Sequence, residues 1–121
     1  MIIDRIAGAV QTTDASVTTL ATFPVPQDTL VYVEGVVLAR EPATEDEKVS
    51  KISAAFARQD GGALVFVAGS ATQSDFDVED QAAWAAVFNS DGAGGIIIQV
   101  TGEAGKTIEW SGLIRAWTEI P

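Results

Sequence analysis

The chain has 121 residues, of which 47% are hydrophobic and 20% charged, and this suits one domain with an ordinary core. It contains no Cys and no His, which excludes disulfides, thiolate metal sites, thiol nucleophiles and serine–histidine triads. Its net charge of −10 argues against nucleic acid or an anionic membrane as a partner, because both attract positive charge.

The amino-terminal residues 1–5 (MIIDR) have neither the basic start nor the long apolar stretch of a secretory signal. No apolar run approaches the roughly 20 residues that a membrane-spanning helix needs. We therefore expect a single domain over residues 1–121 that is made in the cytoplasm and does not enter a membrane.

The first half of the chain contains three runs with strand-like alternation. Residues 3–10 and 17–25 form the first two, and Pro24, which has no N–H, predicts that the second run is an edge strand or one that breaks early. Residues 29–40 form the strongest run, with apolar side chains at both odd and even positions. This pattern predicts a central strand that is covered on both faces.

Turn signals divide the second half into five further strands. Acidic residues 41–48 and polar residues 70–81 are predicted to be loops, and glycine-containing turns are predicted at residues 60–62 and 89–92. About eight antiparallel strands in all predict an all-β fold, a single jelly-roll-like β-sandwich. The predicted strands of this half are residues 50–58, 63–68, 82–88, 96–100 and 107–120. Propensity also allows a helical turn at residues 82–88, where the period-two placement of Trp84, Ala86 and Phe88 favours a strand.

The last predicted strand has two different faces. Ile108, Trp110 and Ile114 share one face, which the alternation sends into the core. Leu113 and Trp117 lie on the opposite face among charged and small residues. Because a monomer gains nothing by exposing two large apolar groups, Leu113 and Trp117 are a candidate interface between copies of the chain. The predicted core contains Trp84, Ile98, Val100, Ile108, Trp110 and Ile114.

Two acidic clusters are candidate cation sites. The cluster within residues 75–80 offers oxygen ligands for calcium, but it lacks the glycine and the bidentate glutamate of an EF-hand loop. The cluster at residues 45–47 could bind a cation or a basic partner. We expect both clusters to be solvated loops and predict no metal site. Their members are Asp75, Asp77, Glu79 and Asp80 in the first, and Glu45, Asp46 and Glu47 in the second.

Catalytic arrangements are weakly represented. Asp28, Glu34 and Glu109 could supply a carboxylate pair for glycoside hydrolysis, but the sequence places no two of them at the required separation. Glycine-rich residues 92–95 precede a strand, whereas a phosphate-binding loop follows a strand and opens a helix. We predict no catalytic residue, no cofactor and no enzymatic activity.

The three tryptophans could together form an aromatic platform for a sugar. Period-two placement favours the core for Trp84 and Trp110. Trp117 leaves two alternatives open, an interface between copies or a ligand platform.

Four segments of the chain follow one another in a familiar order. Residues 11–20 (QTTDASVTTL) match a start of the type QTTDATPTTL, and residues 31–40 (VYVEGVVLAR) match a strand of the type VY.VEA.VV.R. Residues 82–84 (AAW) and 100–110 (VTGEAGKTIEW) match an AAW before a turn and a V.VTG.AG.TI.W ending. The chain therefore resembles a loose group of small β-rich proteins encoded by tailed bacteriophages. It departs from that group at Gly35, where alanine is usual.

The resemblance implies a structural component of a virion, and it brings no catalytic residues with it. The leading interpretation is a capsid decoration protein that forms a homotrimer and binds the major capsid protein. The alternative is a tail-fibre or receptor-binding tip domain that recognises a host-surface glycan.

Overall fold

A computed structural model describes residues 1–80 and 83–119. Their strands are all antiparallel and form one sheet of six strands and one of three. The predicted all-β sandwich is thus confirmed, with nine strands rather than about eight. The strands are β1 (Ile2–Thr12), β2 (Val17–Pro24), β3 (Thr29–Glu41), β4 (Asp46–Arg58), β5 (Leu64–Phe66), β6 (Gln73–Glu79), β7 (Ala85–Ser90), β8 (Gly95–Thr101) and β9 (Ile108–Glu119), with a 3-10 turn at Val67–Gly69.

The larger sheet has the order β1-β9-β3-β4, and the far edge of β4 pairs with both β5 and β6. The smaller sheet has the order β2-β8-β7 and covers the inner face of the larger one. The strand with Pro24 is therefore an edge strand, as its missing N–H predicted.

The core lies between the two sheets and contains all six residues that the sequence analysis placed there. Trp84 and Trp110 are almost fully buried, with ring centroids 6.2 Å apart. The indole Nε1 of Trp110 donates to Oγ1 of Thr12 at 2.9 Å, so this polar atom is satisfied inside the core. The burial of Trp84 and Trp110 excludes both from a surface sugar platform.

Two glycines permit close approaches that a larger residue would prevent. A Cβ atom on Gly8 would lie 2.0 Å from the carbonyl oxygen of Leu20, at the bulge where β2 passes β1. A Cβ atom on Gly35 would lie 2.9 Å from the ring of Phe88. An alanine at position 35 would therefore require the ring of Phe88 to shift.

Three sequence predictions about strands and loops are corrected by the structure. The third strand, β3, is central in its sheet but is covered on one face only, because the smaller sheet lies over the inner face alone. Residues 70–81, predicted to be a loop, contain β6, and Gln81 lies outside the described residues. The acidic segment 41–48 is half strand, since β3 ends at Glu41 and β4 begins at Asp46, and the predicted loop is limited to residues 42–45.

Within residues 1–80 and 83–119, no helix is long and apolar enough to cross a membrane.

Candidate interaction surface

The side of the six-stranded sheet that faces away from the smaller sheet is called the outer face here. Nine of the thirteen large apolar side chains that are exposed in the described part of the chain belong to it. Half-buried Leu113 and Trp117 lie among them. The nine are Ile3, Leu30, Tyr32, Val36, Leu38, Val49, Val65, Phe76 and Val78.

Strand register makes this apolar surface continuous. Leu113 on β9 is opposite Ala7 on β1 and opposite Val36 on β3. One step along the strands, Leu38 is opposite Val49, and Val49 is opposite Val78 on β6. Directly opposed side chains in a sheet are about 5 Å apart, so these residues touch or nearly touch their neighbours.

The candidate interface residue Trp117 is outside the core, as its position in the alternation predicted. The ring of Tyr32 packs beside it with centroids 5.4 Å apart, and the guanidinium of Arg115 lies 4.8 Å from its ring centroid. The hydroxyl of Tyr32 donates to Glu34 at 3.0 Å. Burial, followed by this contact with Glu34, raises the pKa of Tyr32 above its ordinary value.

The charge of the outer face is nearly balanced, although the chain has a large surplus of acid. With Asp75, which lies at the bulge of β6 near Tyr32, the face carries four of the seven basic residues and five of the seventeen acidic ones, which leaves three basic and twelve acidic residues elsewhere. Nearly all of the net charge of −10 therefore belongs to the rest of the molecule. The charged residues of the outer face are Arg5, Arg40, Lys51 and Arg115, and Glu34, Glu47, Asp75, Glu109 and Glu119.

The outer face is not flat. Small residues on β1 and β9, including Ala7, Ser111 and Gly112, leave a shallow depression of about 370 Å³ beside Leu38 and Leu113. At the opposite edge of the face, Phe76 and Val78 on the edge strand β6 are 52% and 58% exposed, and this pair is called the β6 ridge here. Ile3, at the β1 edge of the face, is 52% exposed.

Two acidic residues of β6, Asp77 and Glu79, form ion pairs with a lysine of the neighbouring strand. Lys48 on β4 has a buried side chain, and its Nζ donates to Asp77 at 2.7 Å and to Glu79 at 2.5 Å. Ser50 also donates to Asp77, at 2.9 Å. The prediction that all carboxylates of this segment are solvated is therefore wrong for Asp77 and Glu79, which partner a buried cation.

These contacts shift the pKa values of Asp77 and Lys48. Hydrogen bonding to Lys48 is the main reason that the pKa of Asp77 lies below its ordinary value. Burial by itself lowers the pKa of Lys48, but the hydrogen bonds to Asp77 and Glu79 outweigh it, so the pKa of Lys48 lies above its ordinary value. The arrangement is an ion-pair network that fixes β6 against β4, and within the described residues no group of three or more acidic side chains is placed to hold a metal ion.

The other sequence candidates are dispersed or structural. Glu109 is opposite Arg40 on β3, six residues along that strand from Glu34, so these two carboxylates are about 20 Å apart and do not form a catalytic pair. Asp28 lies in the turn before β3. In the glycine-rich turn, Oδ1 of Asp91 accepts from the backbone N–H groups of Gly95 and Ala93, which lowers the pKa of Asp91.

The sequence contains patterns that indicate strand β6 and the apolar outer face of β3. Residues 75–79 (DFDVE) alternate acidic and apolar types, which is the period of a strand with one polar and one apolar face. The even positions of β3 are apolar because they build the outer face, and not because a second layer covers them.

Comparisons with known proteins give a fold and no family. No protein-family model and no curated protein matches this chain. A solved structure, the crystal structure of the Acinetobacter baumannii phage AM24 tailspike protein, is similar with a TM-score of 0.55 and 8% sequence identity. The match covers 95% of this chain and 26% of the tailspike chain, so the chain spans about a quarter of that protein's length. The expected likeness to β-rich phage proteins is thus confirmed at the level of the fold.

Proposed function

We propose that this chain is a non-enzymatic structural protein of a tailed-phage virion, which assembles with copies of itself and with a larger viral structure. The observation that carries the proposal is the outer face, which is broadly apolar and nearly balanced in charge on an otherwise strongly acidic molecule. Such a surface suits permanent burial against another protein, since exposed apolar patches beyond a few hundred Å² are uncommon on monomers. The fold shared with part of a phage tailspike protein supports the viral setting.

The first candidate location is the capsid surface, where the chain is a decoration protein with the major capsid protein as its partner. A homotrimer around a symmetry axis of the shell fits this role, because closed cyclic assemblies bury one repeated surface. The candidate interface residues Leu113 and Trp117 are within the buried surface in this proposal. Neither nucleic acid nor membrane is proposed as a partner.

The second candidate location is the tail, and one observation favours it. The similar solved structure is a tailspike protein, of which the matched part is about a quarter. As a tail-fibre or receptor-binding tip domain, the chain recognises a host-surface glycan and leaves Trp117 available as a ligand platform.

Cryo-electron microscopy of the virion that contains this chain tests the proposal. We expect density for the nine-stranded sandwich at regular positions on the outside of the capsid, with the outer face of the larger sheet covered. Density at the tail instead supports the second location and rejects capsid decoration. A purified virion that lacks the chain altogether, by mass spectrometry, contradicts the virion role.

A further inference from the structure

We infer that the outer face of the six-stranded sheet binds a second copy of this chain, with the β6 ridge of one copy seated in the β1–β9 depression of the other. The ridge is formed by Phe76 and Val78, and the depression lies over Ala7, Ser111 and Gly112. This inference deepens the proposed function by naming the self-contact, but it concerns the isolated protein and can be tested without a virion.

The first argument is area. The nine exposed apolar side chains of the outer face are each about half exposed, and together they present on the order of 600 Å² of surface. The largest apolar patch on a typical monomer is about 300–600 Å², so this surface is at the upper end of that range. A standard protein–protein interface buries about 800 Å² per partner, of which a little over half is apolar, so this face with its charged residues included is large enough to hold a second copy.

The second argument is charge. Because the outer face carries four basic and five acidic side chains, two copies can join there with most of their surplus acid kept apart. Lys51 and Glu34 are 3.7 Å apart on this face, and Arg115 is opposite Glu34. Any other surface of the chain, on average, brings like charges into contact when two copies meet.

The third argument is shape. The ridge residue Phe76 is opposite Lys51, which is opposite Val36 at the border of the depression, so ridge and depression occupy the same level along the strands. With about 4.8 Å between strands, β6 is roughly 14 Å from β9. A second copy turned face to face about an axis parallel to the strands places its ridge over this depression, and its own depression then receives the ridge of the first copy.

The test is the mass of the protein in solution, measured by light scattering over a range of concentrations. The chain has a mass of 12.6 kDa, and the wild type is expected to form an assembly of two or more chains. Phe76→Glu in the ridge and Leu38→Glu beside the depression are each expected to raise the dissociation constant about 100-fold or more, because each buries an unpaired carboxylate. Both side chains are about half exposed in the single chain, so both variants are expected to remain folded by circular dichroism.

The matched control is Val87→Glu, which adds the same charge at a side chain that is 43% exposed on the smaller sheet. It is expected to leave the assembly intact. A wild type that stays monomeric at every concentration overturns the inference, and so does an assembly that Phe76→Glu and Leu38→Glu leave unchanged. Loss of assembly in Leu38→Glu alone rejects the contact between ridge and depression. A monomer that is nevertheless found on the virion rejects this inference and the self-assembly, and leaves the virion role standing.

Discussion

The two faces of the six-stranded sheet are built from the same strands and nearly the same kinds of apolar residue, yet they have different surroundings. The inner face packs against the smaller sheet, and its central residues Val31, Val33 and Val37 are fully buried. The outer face carries Tyr32, Val36 and their neighbours with nothing over them. Alternation along a strand therefore defines two faces but does not say which of them the protein covers with its own chain.

The lysines of the two faces also differ in their burial and in their partners. On the inner face, Lys48 is buried and paired with two carboxylates, whereas on the outer face Lys51 is half exposed and lies 3.7 Å from Glu34. A buried cation needs close partners, because its lost hydration costs several kcal/mol. An outer-face cation keeps its water until another molecule arrives.

The largest contrast is expected between the two tryptophans of β9. Trp110→Ala should lower the free energy of unfolding by about 3–5 kcal/mol, because it leaves a cavity in the core. Trp117→Ala should cost the single chain only about 1 kcal/mol, the worth of its contacts with Tyr32 and Arg115. Urea denaturation at a concentration low enough to keep the chain monomeric measures both. Equal losses of unfolding free energy would mean that Trp117 is packed as tightly in the single chain as Trp110.

The next effect concerns the close approach at Gly8. Gly8→Ala should destabilise the protein by about 1–3 kcal/mol or more, because its methyl group meets the carbonyl oxygen of Leu20, which is backbone and cannot rotate away. Ala9→Ser, one residue along β1 on the outer face, should change stability by less than about 0.5 kcal/mol. The two variants are compared by chemical denaturation. A Gly8→Ala protein as stable as the wild type would show that β1 and β2 are farther apart.

A pH-dependent contrast is expected between the two lysines. Lys48→Met should cost about 1–2 kcal/mol at neutral pH, less than a fully buried pair because the side chain of Asp77 is 39% exposed. Since the pKa of Asp77 in the folded protein lies below its unfolded value near 3.8, its stabilisation is present above pH 3.8 and is lost as the pH falls through the lower folded value.

The stability difference between wild type and Lys48→Met should therefore shrink between neutral pH and pH 2, as unfolding curves at several pH values will record. At alkaline pH, the raised pKa of Lys48 sets the limit. The contribution of Lys48 to the stability is complete below about pH 10.5 and is lost as the pH rises above that value. Lys51→Met on the outer face should show a loss below about 0.5 kcal/mol at every pH. A constant loss in Lys48→Met across this range would remove Asp77 as its partner.

The smallest expected effect is that of calcium. Because Asp77 and Glu79 are engaged by Lys48, they are poor candidates for a cation site. Thermal unfolding in excess calcium and in chelator should give closely similar midpoints. A rise of many degrees with micromolar calcium would show that the β6 carboxylates bind metal in preference to lysine.

Much of the fold followed from local patterns, and the rest depended on tertiary packing. The runs that became β8 and β9 are long, β-branched and bounded by turns, so their strands and their core residues Ile98 and Trp110 were predicted correctly. The strand β6 was missed because a strand at a sheet edge keeps polar residues on one side. Nothing local indicates that its acids Asp77 and Glu79 will meet Lys48, about thirty residues earlier in the chain.

The candidate interface was predicted in part for the same reason. Alternation along one strand was enough to place Leu113 and Trp117 outside the core. Their membership of a wider face needed the order of the strands, which brings Ile3, Leu38 and Phe76 to the same side of one sheet. Strand order depends on contacts distant in sequence, and no short-range pattern reports it.

The coverage of the outer face by a second copy can be measured directly, because the chain has no cysteine and a single thiol can be introduced anywhere. Leu38→Cys on the outer face and Val87→Cys on the smaller sheet start from similar exposures of 47% and 43%. With a maleimide reagent, we expect both thiols to react at similar rates in dilute protein. At high protein concentration, the thiol at position 38 should become strongly protected while the thiol at position 87 remains reactive. Equal reactivity of the two thiols at all concentrations would contradict the burial of the outer face by a second copy.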